Sequence, residues 1–185
     1  MGVEAVTSGT NTDRAGDAVR TLTRWADDFP EPGIRFADLT PVFADADGFA
    51  AVIEAVTAVA PDADLVAGID ARGFLLGSGV ALRLGTGVLA VRKAGKLPPP
   101  VLERSYELEY GSAALEIPAD GMDLHGRRVL VVDDVLATGG TLVAAADLLT
   151  TAGAEVVALA VVLELTALGG RERTGKYPLT SLVQL

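Results

Sequence analysis

Apolar residues change their spacing along the chain, and the changes divide it into elements. From Asp17, the positions Ala18, Val19, Leu22, Trp25 and Ala26 recur at three- and four-residue intervals, which predicts an amphipathic first helix. Residues 1–13 are small and polar without period and are expected to form a flexible tail. Phe29-Pro30-Glu31-Pro32-Gly33 closes the helix, because two prolines cannot continue it. A second helix is expected from about Asp47, with Phe49, Val52, Ile53, Val56 and Val59 as its buried stripe.

Beyond residue 64 the period disappears. Leu65-Val66-Ala67-Gly68-Ile69 is a continuous apolar run, followed by a polar loop, a helix over 74–84 and a second run, Val88-Leu89-Ala90-Val91. The same order returns with Val129-Leu130-Val131-Val132, a loop, a helix over 141–152 and a run at 156–163. Strands that lose the period of two are buried on both faces, and strand–helix–strand repetition predicts an α/β domain with a parallel sheet covered on both sides. Gly85-Thr86-Gly87 precedes a strand, so it reads as a helix-to-strand turn and not as a dinucleotide fingerprint. Residues 92–110, which include Lys96-Leu97-Pro98-Pro99-Pro100, are expected to be a long irregular connection, functional or mobile. No linker divides the chain, so residues 14–185 are read as one domain.

Charge narrows the function classes. Fifteen Lys and Arg against 25 Asp and Glu give a formal net charge of −10, with no basic stretch of the kind that holds nucleic acid. The longest apolar run falls far short of the about 18 residues that a membrane-spanning helix needs. The first residues lack the basic and apolar regions of a signal peptide. No cysteine is present, which excludes disulfides, thiolate metal sites and cysteine nucleophiles and fits a cytoplasmic protein. His125 stands alone in Asp123-Leu124-His125-Gly126 and reads as a turn residue. Only Lys93, Lys96 and Lys176 are lysines, and two of the three fall in the irregular connection.

Candidate chemistry concentrates in Val131-Val132-Asp133-Asp134-Val135-Leu136-Ala137-Thr138-Gly139-Gly140-Thr141. An apolar strand ends in two carboxylates, a loop with glycines and threonines follows, and a helix begins. Free N–H groups at a helix start attract phosphate, glycines allow close approach, and carboxylates accept hydrogen bonds from sugar hydroxyls. The segment resembles the phosphoribosyl pyrophosphate (PRPP) signature of type I phosphoribosyltransferases. Four further segments resemble the adenine phosphoribosyltransferases: 29–38 with Pro32-Gly33-Ile34-Arg35-Phe36, 68–74 with Asp70-Ala71-Arg72-Gly73, 92–98 with Lys93 and Lys96, and 105–111 with Leu108-Glu109-Tyr110-Gly111. So does 164–171, and the likeness runs from Trp25 to the end of the chain.

The resemblance implies a mainly parallel twisted sheet flanked by helices, with a small hood and a flexible catalytic loop. It implies transfer of the phosphoribosyl group from PRPP to adenine N9, giving AMP and pyrophosphate, by a homodimer with Mg²⁺ held mainly through PRPP oxygens and water. Residue by residue, it implies that Ala137, Thr138, Gly139, Gly140 and Thr141 hold the 5′-phosphate and that Asp133 and Asp134 bind the ribose hydroxyls. Arg72, Lys93 and Lys96 meet the pyrophosphate, the lysines on a closing lid. Glu109 transfers the proton, beside Tyr106 and with Tyr110 seating the lid. Phe36 stacks on adenine, with Arg35 and Ala37 offering main-chain atoms and Val135 or Leu136 the opposite wall. Ala37 departs from the family, which usually carries a long polar residue there. Two other readings are a phosphoribosyltransferase for another base and a PRPP-sensing regulator. The Phe36 segment argues against the first, and the lack of a basic face against the second.

Overall fold

The computed structural model describes residues 8–29, 31–107 and 112–185, with the side chains of its first helix described from Thr12 on. Its centre is a seven-stranded sheet: β3 (Leu65–Ile69), β4 (Gly87–Lys93), β5 (Val101–Glu107), β6 (Ser112–Pro118), β7 (Arg128–Leu136), β8 (Glu155–Glu164) and β9 (Leu179–Gln184). The order is β5-β6-β4-β3-β7-β8-β9, with β4, β3, β7, β8 and β9 parallel and the β5–β6 hairpin joined antiparallel to β4. A separate hairpin, β1 (Arg24–Asp27) with β2 (Arg35–Asp38), makes the hood.

Side chains of the central strands alternate between two cores. Val66, Leu130, Val132, Ala158, Ala160 and Val162 meet the helices α1 (Ser8–Leu22), α2 (Thr40–Ala44), α3 (Ala46–Thr57) and α4 (Arg72–Leu84). Ala67, Ile69, Val129, Val131, Leu159 and Val161 face the other way, toward α5 (Gly140–Thr151). The chain leaves β3 toward β4 and leaves β7 toward β8, in opposite directions along the sheet. Right-handed crossovers then put α4 and α5 on opposite faces and open a crevice between β3 and β7, beyond their carboxyl ends.

Both strand–helix–strand units and the Gly85 turn, with φ +73°, lie where the pattern put them. His125 lies in a turn, its N–H bonded to Asp123. Three expectations need correction. The first helix begins at Ser8, so residues 8–13 are helical, and it stops at Leu22, so Trp25 and Ala26 belong to β1. Their spacing fits a helix, but Trp25 pairs with Ala37 across the hood and Arg35 covers its ring at 4.4 Å. The connection at 92–110 is largely ordered pairing: β4 runs to Lys93, and Val101–Glu107 pairs in unbroken register with β6. Among the described residues of this stretch, only the turn holding the prolines and Gly95 is irregular. Finally, β7 does not end at the aspartates but continues to Leu136, because β8 pairs with it past Asp133.

Candidate active site

The pairing of β7 explains the place of the acidic residues. β3 accompanies β7 only as far as Val132, whereas β8 continues beside it to Leu136. Asp133 and Asp134 therefore stand on a strand with one neighbour, at the mouth of the crevice. Asp134 is only 5% exposed. Its Oδ2 lies 2.7 Å from Arg72 Nε, close enough for an ion pair, though no N–H is directed at it. The Asp134 N–H donates to Asp133 Oδ1 at 2.9 Å. Burial pushes the Asp133 carboxyl well above its usual value, and the Asp134 charge beside it adds to the rise. Burial also raises Asp134, and the Arg72 charge offsets this only in part.

After β7 the chain makes the phosphate loop. Gly139 takes φ +80° and caps α5 without a side chain, so the first N–H groups of that helix stay open to a ligand. By contrast, α3 is closed by Asp45, whose carboxylate accepts from Gly48 N–H. Asp133, Val135, Leu136, Ala137, Thr138, Gly139, Gly140 and Thr141 line a pocket of about 80 Å³ at this point. The Thr138 and Thr141 side chains make no hydrogen bond to other described residues. α4 also starts without a side-chain cap, directly after Asp70-Ala71, and here the peptide is cis. Both helix starts at the crevice thus present unsatisfied donors.

Arg72, the first residue of α4, links the parts. Besides Asp134, its guanidinium donates to Ala37 O at 3.3 Å and lies 5.2 Å from the centre of the Phe36 ring. Phe29 meets Phe36 edge-on at 5.1 Å. Ala37 is buried in the core behind the hood, which explains why a small side chain fits there. Arg35 is exposed on the same strand, and Val135 is half-buried on β7. Lys93 ends β4 with an exposed side chain, and its N–H reaches Asp70 Oδ2 at 3.4 Å. Lys96 lies in the turn that follows, and neither ammonium is ion-paired among the described residues. Glu109 and Tyr110 lie outside the described residues.

The loop rests on residues that the sequence alone left without a role. A Cβ on Gly170 would stand 2.2 Å from Ala137 O, and one on Gly139 would stand 2.6 Å from Gly170 O. The two backbones touch because both positions are glycine. Arg171, the next residue, grips the buried Glu164 carboxylate at the end of β8 and holds Gly170 under the loop. That hydrogen bond, more than the cost of burial, keeps the Glu164 carboxyl below its usual value. Gly73 approaches β7 in the same way: its Cβ would meet Val132 O at 2.7 Å. Gly169-Gly170 beside a strand end was the available signal. We expect Gly170→Ala to cost about 1–3 kcal/mol by overpacking and to weaken PRPP binding, because the Ala137 carbonyl must move. Chemical denaturation and PRPP titration check both effects.

Comparison with known proteins agrees with this geometry. The model of the phosphoribosyl transferase domain matches residues 45–183. The adenine phosphoribosyltransferase of Nocardia farcinica is 72% identical over 174 residues, covering 94% of this chain and 91% of its own. The chain belongs to the adenine phosphoribosyltransferase family. The crystal structure of the family member from Thermoanaerobacter pseudethanolicus superposes with a TM-score of 0.86 at 44% identity, over 91% of this chain and 99% of that one. The Giardia lamblia enzyme, complexed with 9-deazaadenine, has a TM-score of 0.85 at 40% identity, over 92% and 97% of the two chains. The type I phosphoribosyltransferase fold is thereby established for this chain, and neither the regulator nor another base is favoured by these relatives.

Proposed function

We infer that the protein is a purine-salvage enzyme, a pentosyl transferase that moves the 5-phosphoribosyl group from PRPP to N9 of adenine and releases pyrophosphate. The observation that carries this reading is the convergence on Arg72. Its guanidinium touches Phe36 and Ala37, the segment assigned to adenine, and Asp134, assigned to ribose. It also begins the helix whose open N–H groups suit pyrophosphate.

In this mechanism the loop 137–141 and the start of α5 hold the 5′-phosphate, and Asp133 and Asp134 accept the ribose hydroxyls. As the bond from C1 to pyrophosphate breaks, positive charge grows on the ribose, and the carboxylates that hold its hydroxyls stabilise that charge. The start of α4, Arg72, Lys93 and Lys96 receive the negative charge of the leaving group. Phe36 and Val135 hold the adenine plane so that N9 faces C1, and Glu109 takes the N9 proton, with Tyr110 seating the lid over it.

Among the described residues no three His, Cys, Asp or Glu side chains gather as a metal cage. Mg²⁺ fits instead as an ion carried mainly by PRPP oxygens and water, near the acidic pair. Bound there, it neutralises charge on the pyrophosphate. No described helix is long and apolar enough to cross a membrane. Substrates with several negative charges do not pass membranes freely, which supports a cytoplasmic location for the reaction.

The enzyme is proposed to be a homodimer. Leu75 and Leu82 lie seven residues apart on α4 and are 55% and 84% exposed, and Val88 of β4 is exposed nearby. Such an apolar stripe suits a second copy of the chain. Leu82→Glu is expected to shift the protein toward monomer in light scattering without unfolding it.

The function itself is tested by AMP formation from PRPP with adenine, run beside hypoxanthine, guanine, xanthine and orotate. Product from adenine alone supports the reading. Preference for another base would replace it.

A further inference from the structure

We propose that Glu116 is a positioning residue for pyrophosphate: it fixes the turn that carries Lys93 and Lys96. The proposal rests on the phosphoribosyl-transfer reading above and deepens it. Glu116 sits in mid-strand on β6 and is 2% exposed, an unusual place for a carboxylate. Its two oxygens accept three consecutive main-chain N–H groups of the turn. Gly95 N–H donates to Oε2 at 3.0 Å, and Lys96 and Leu97 N–H both donate to Oε1 at 2.6 Å.

Successive N–H groups around a residue of positive φ form a concave anion site, and Gly95 has φ +79°. Here the anion is built into the protein. Burial pushes the Glu116 carboxyl up, but the three N–H donors and the Arg92 charge outweigh it and hold the group below its usual value. The negative charge is therefore engaged locally and does not face the substrate as a free carboxylate.

The clamp is wired to the other anion-binding loop. Arg92 is the register partner of Glu116 across β4 and β6. Its Nε donates to Asp70 Oδ2 at 3.2 Å, and Asp70 also accepts the Lys93 N–H. Asp70 immediately precedes the start of α4. Glu116, Arg92 and Asp70 thus set the spacing between the two lysines and the N–H groups at Arg72. Among the described residues, neither lysine ammonium has a partner of its own. Their reach toward pyrophosphate is therefore set by this backbone framework.

The test is Glu116→Gln, which keeps size and shape but turns one acceptor into a donor facing an N–H. We expect kcat/KM for PRPP to fall about 10- to 100-fold, the size of effect that follows a misplacement near 1 Å. KM for adenine should change little, inhibition by pyrophosphate should weaken in parallel, and ribose 5-phosphate binding at the loop 137–141 should persist. A purely structural role would lower stability and leave these ratios alone. Gly95→Ala strains the same turn at its φ of +79° while leaving the Glu116 side chain unchanged and should give the same profile, so a poorly folded Gln variant does not end the test. Wild-type PRPP kinetics and pyrophosphate inhibition in either folded variant would overturn the proposal alone. A wild-type protein that makes no AMP would overturn the function reading and this proposal with it.

Discussion

Asp133→Asn combined with Asp134→Asn is expected to abolish PRPP binding, with affinity lower by at least about 1,000-fold, since two charge-assisted hydrogen-bond acceptors for the ribose are lost. The single variants should separate binding from stability. Asp133 is strained by its surroundings: burial and the neighbouring Asp134 charge both disfavour its ionised form. Neutralising it should stabilise the free protein by about 0.5–2 kcal/mol, while weakening PRPP. Asp134 differs, because it neutralises Arg72 at 2.7 Å. Asp134→Asn removes both the burial penalty and the attraction to Arg72 that offsets part of it, so it should change stability less than Asp133→Asn does while also weakening PRPP. Thermal melts and calorimetric titration with PRPP check this order.

The same pair predicts a pH dependence. Both carboxyls are raised above the usual 3.8. Between that value and their raised ones the folded protein holds protons that the unfolded chain has released. Their contribution to stability is fully present below 3.8 and is lost as pH rises through the raised values. Ribose hydroxyls prefer the charged acceptors, so PRPP affinity should rise with pH over the same window and binding should release protons. Titration in buffers of different ionisation enthalpy measures that release.

Glu109→Gln is expected to lower turnover by about 100- to 10,000-fold, the usual worth of a positioned acid or base. PRPP binding should change less than about threefold, because phosphate and ribose contacts lie elsewhere. An amide keeps the size of the side chain but cannot take the N9 proton. The assignment rests on the Leu108-Glu109-Tyr110-Gly111 resemblance. It is supported by the strand that leads there: Glu107 O lies 3.4 Å from where a Cβ on Gly140 would stand, so β5 delivers the chain to the phosphate loop. Lys176 and Arg104 both pair with Asp147 of α5, and Tyr177 donates to the same carboxylate, tying β5 to the helix of that loop. Single-turnover AMP formation beside PRPP titration separates the chemical step from binding. Unchanged turnover would remove the proton-transfer role.

Much of the molecule could be read without coordinates. The runs at 65–69 and 129–132 are apolar at every position, and only burial on both faces of a parallel sheet asks for that. The segment 131–141 carries carboxylates, glycines and threonines in the order that a strand, a phosphate loop and a helix start require, and the structure lines one pocket with most of it. These signals are local: each depends on residues adjacent in the chain, so the chain order reveals them.

What the sequence concealed depends on partners far apart in it. Trp25 keeps a helical spacing, yet pairing with Ala37 makes it part of a strand. Glu103 and Arg104 look like loop charges until β6 lies beside them in register. Gly170 has no visible role until it meets Ala137, and Glu116 reads as one more acid in an acidic chain until Gly95, Lys96 and Leu97 turn their N–H groups to it. The sequence by itself determined the parallel sheet and the phosphate loop, because hydrophobic burial and helix-start chemistry act over a few residues, and the resemblance of its motifs pointed to the family. Only the tertiary structure decided how Arg72 joins hood to ribose site and how the lysine turn is held. Those arrangements are contacts between distant segments, set by strand register and by backbones that approach where no side chain intervenes.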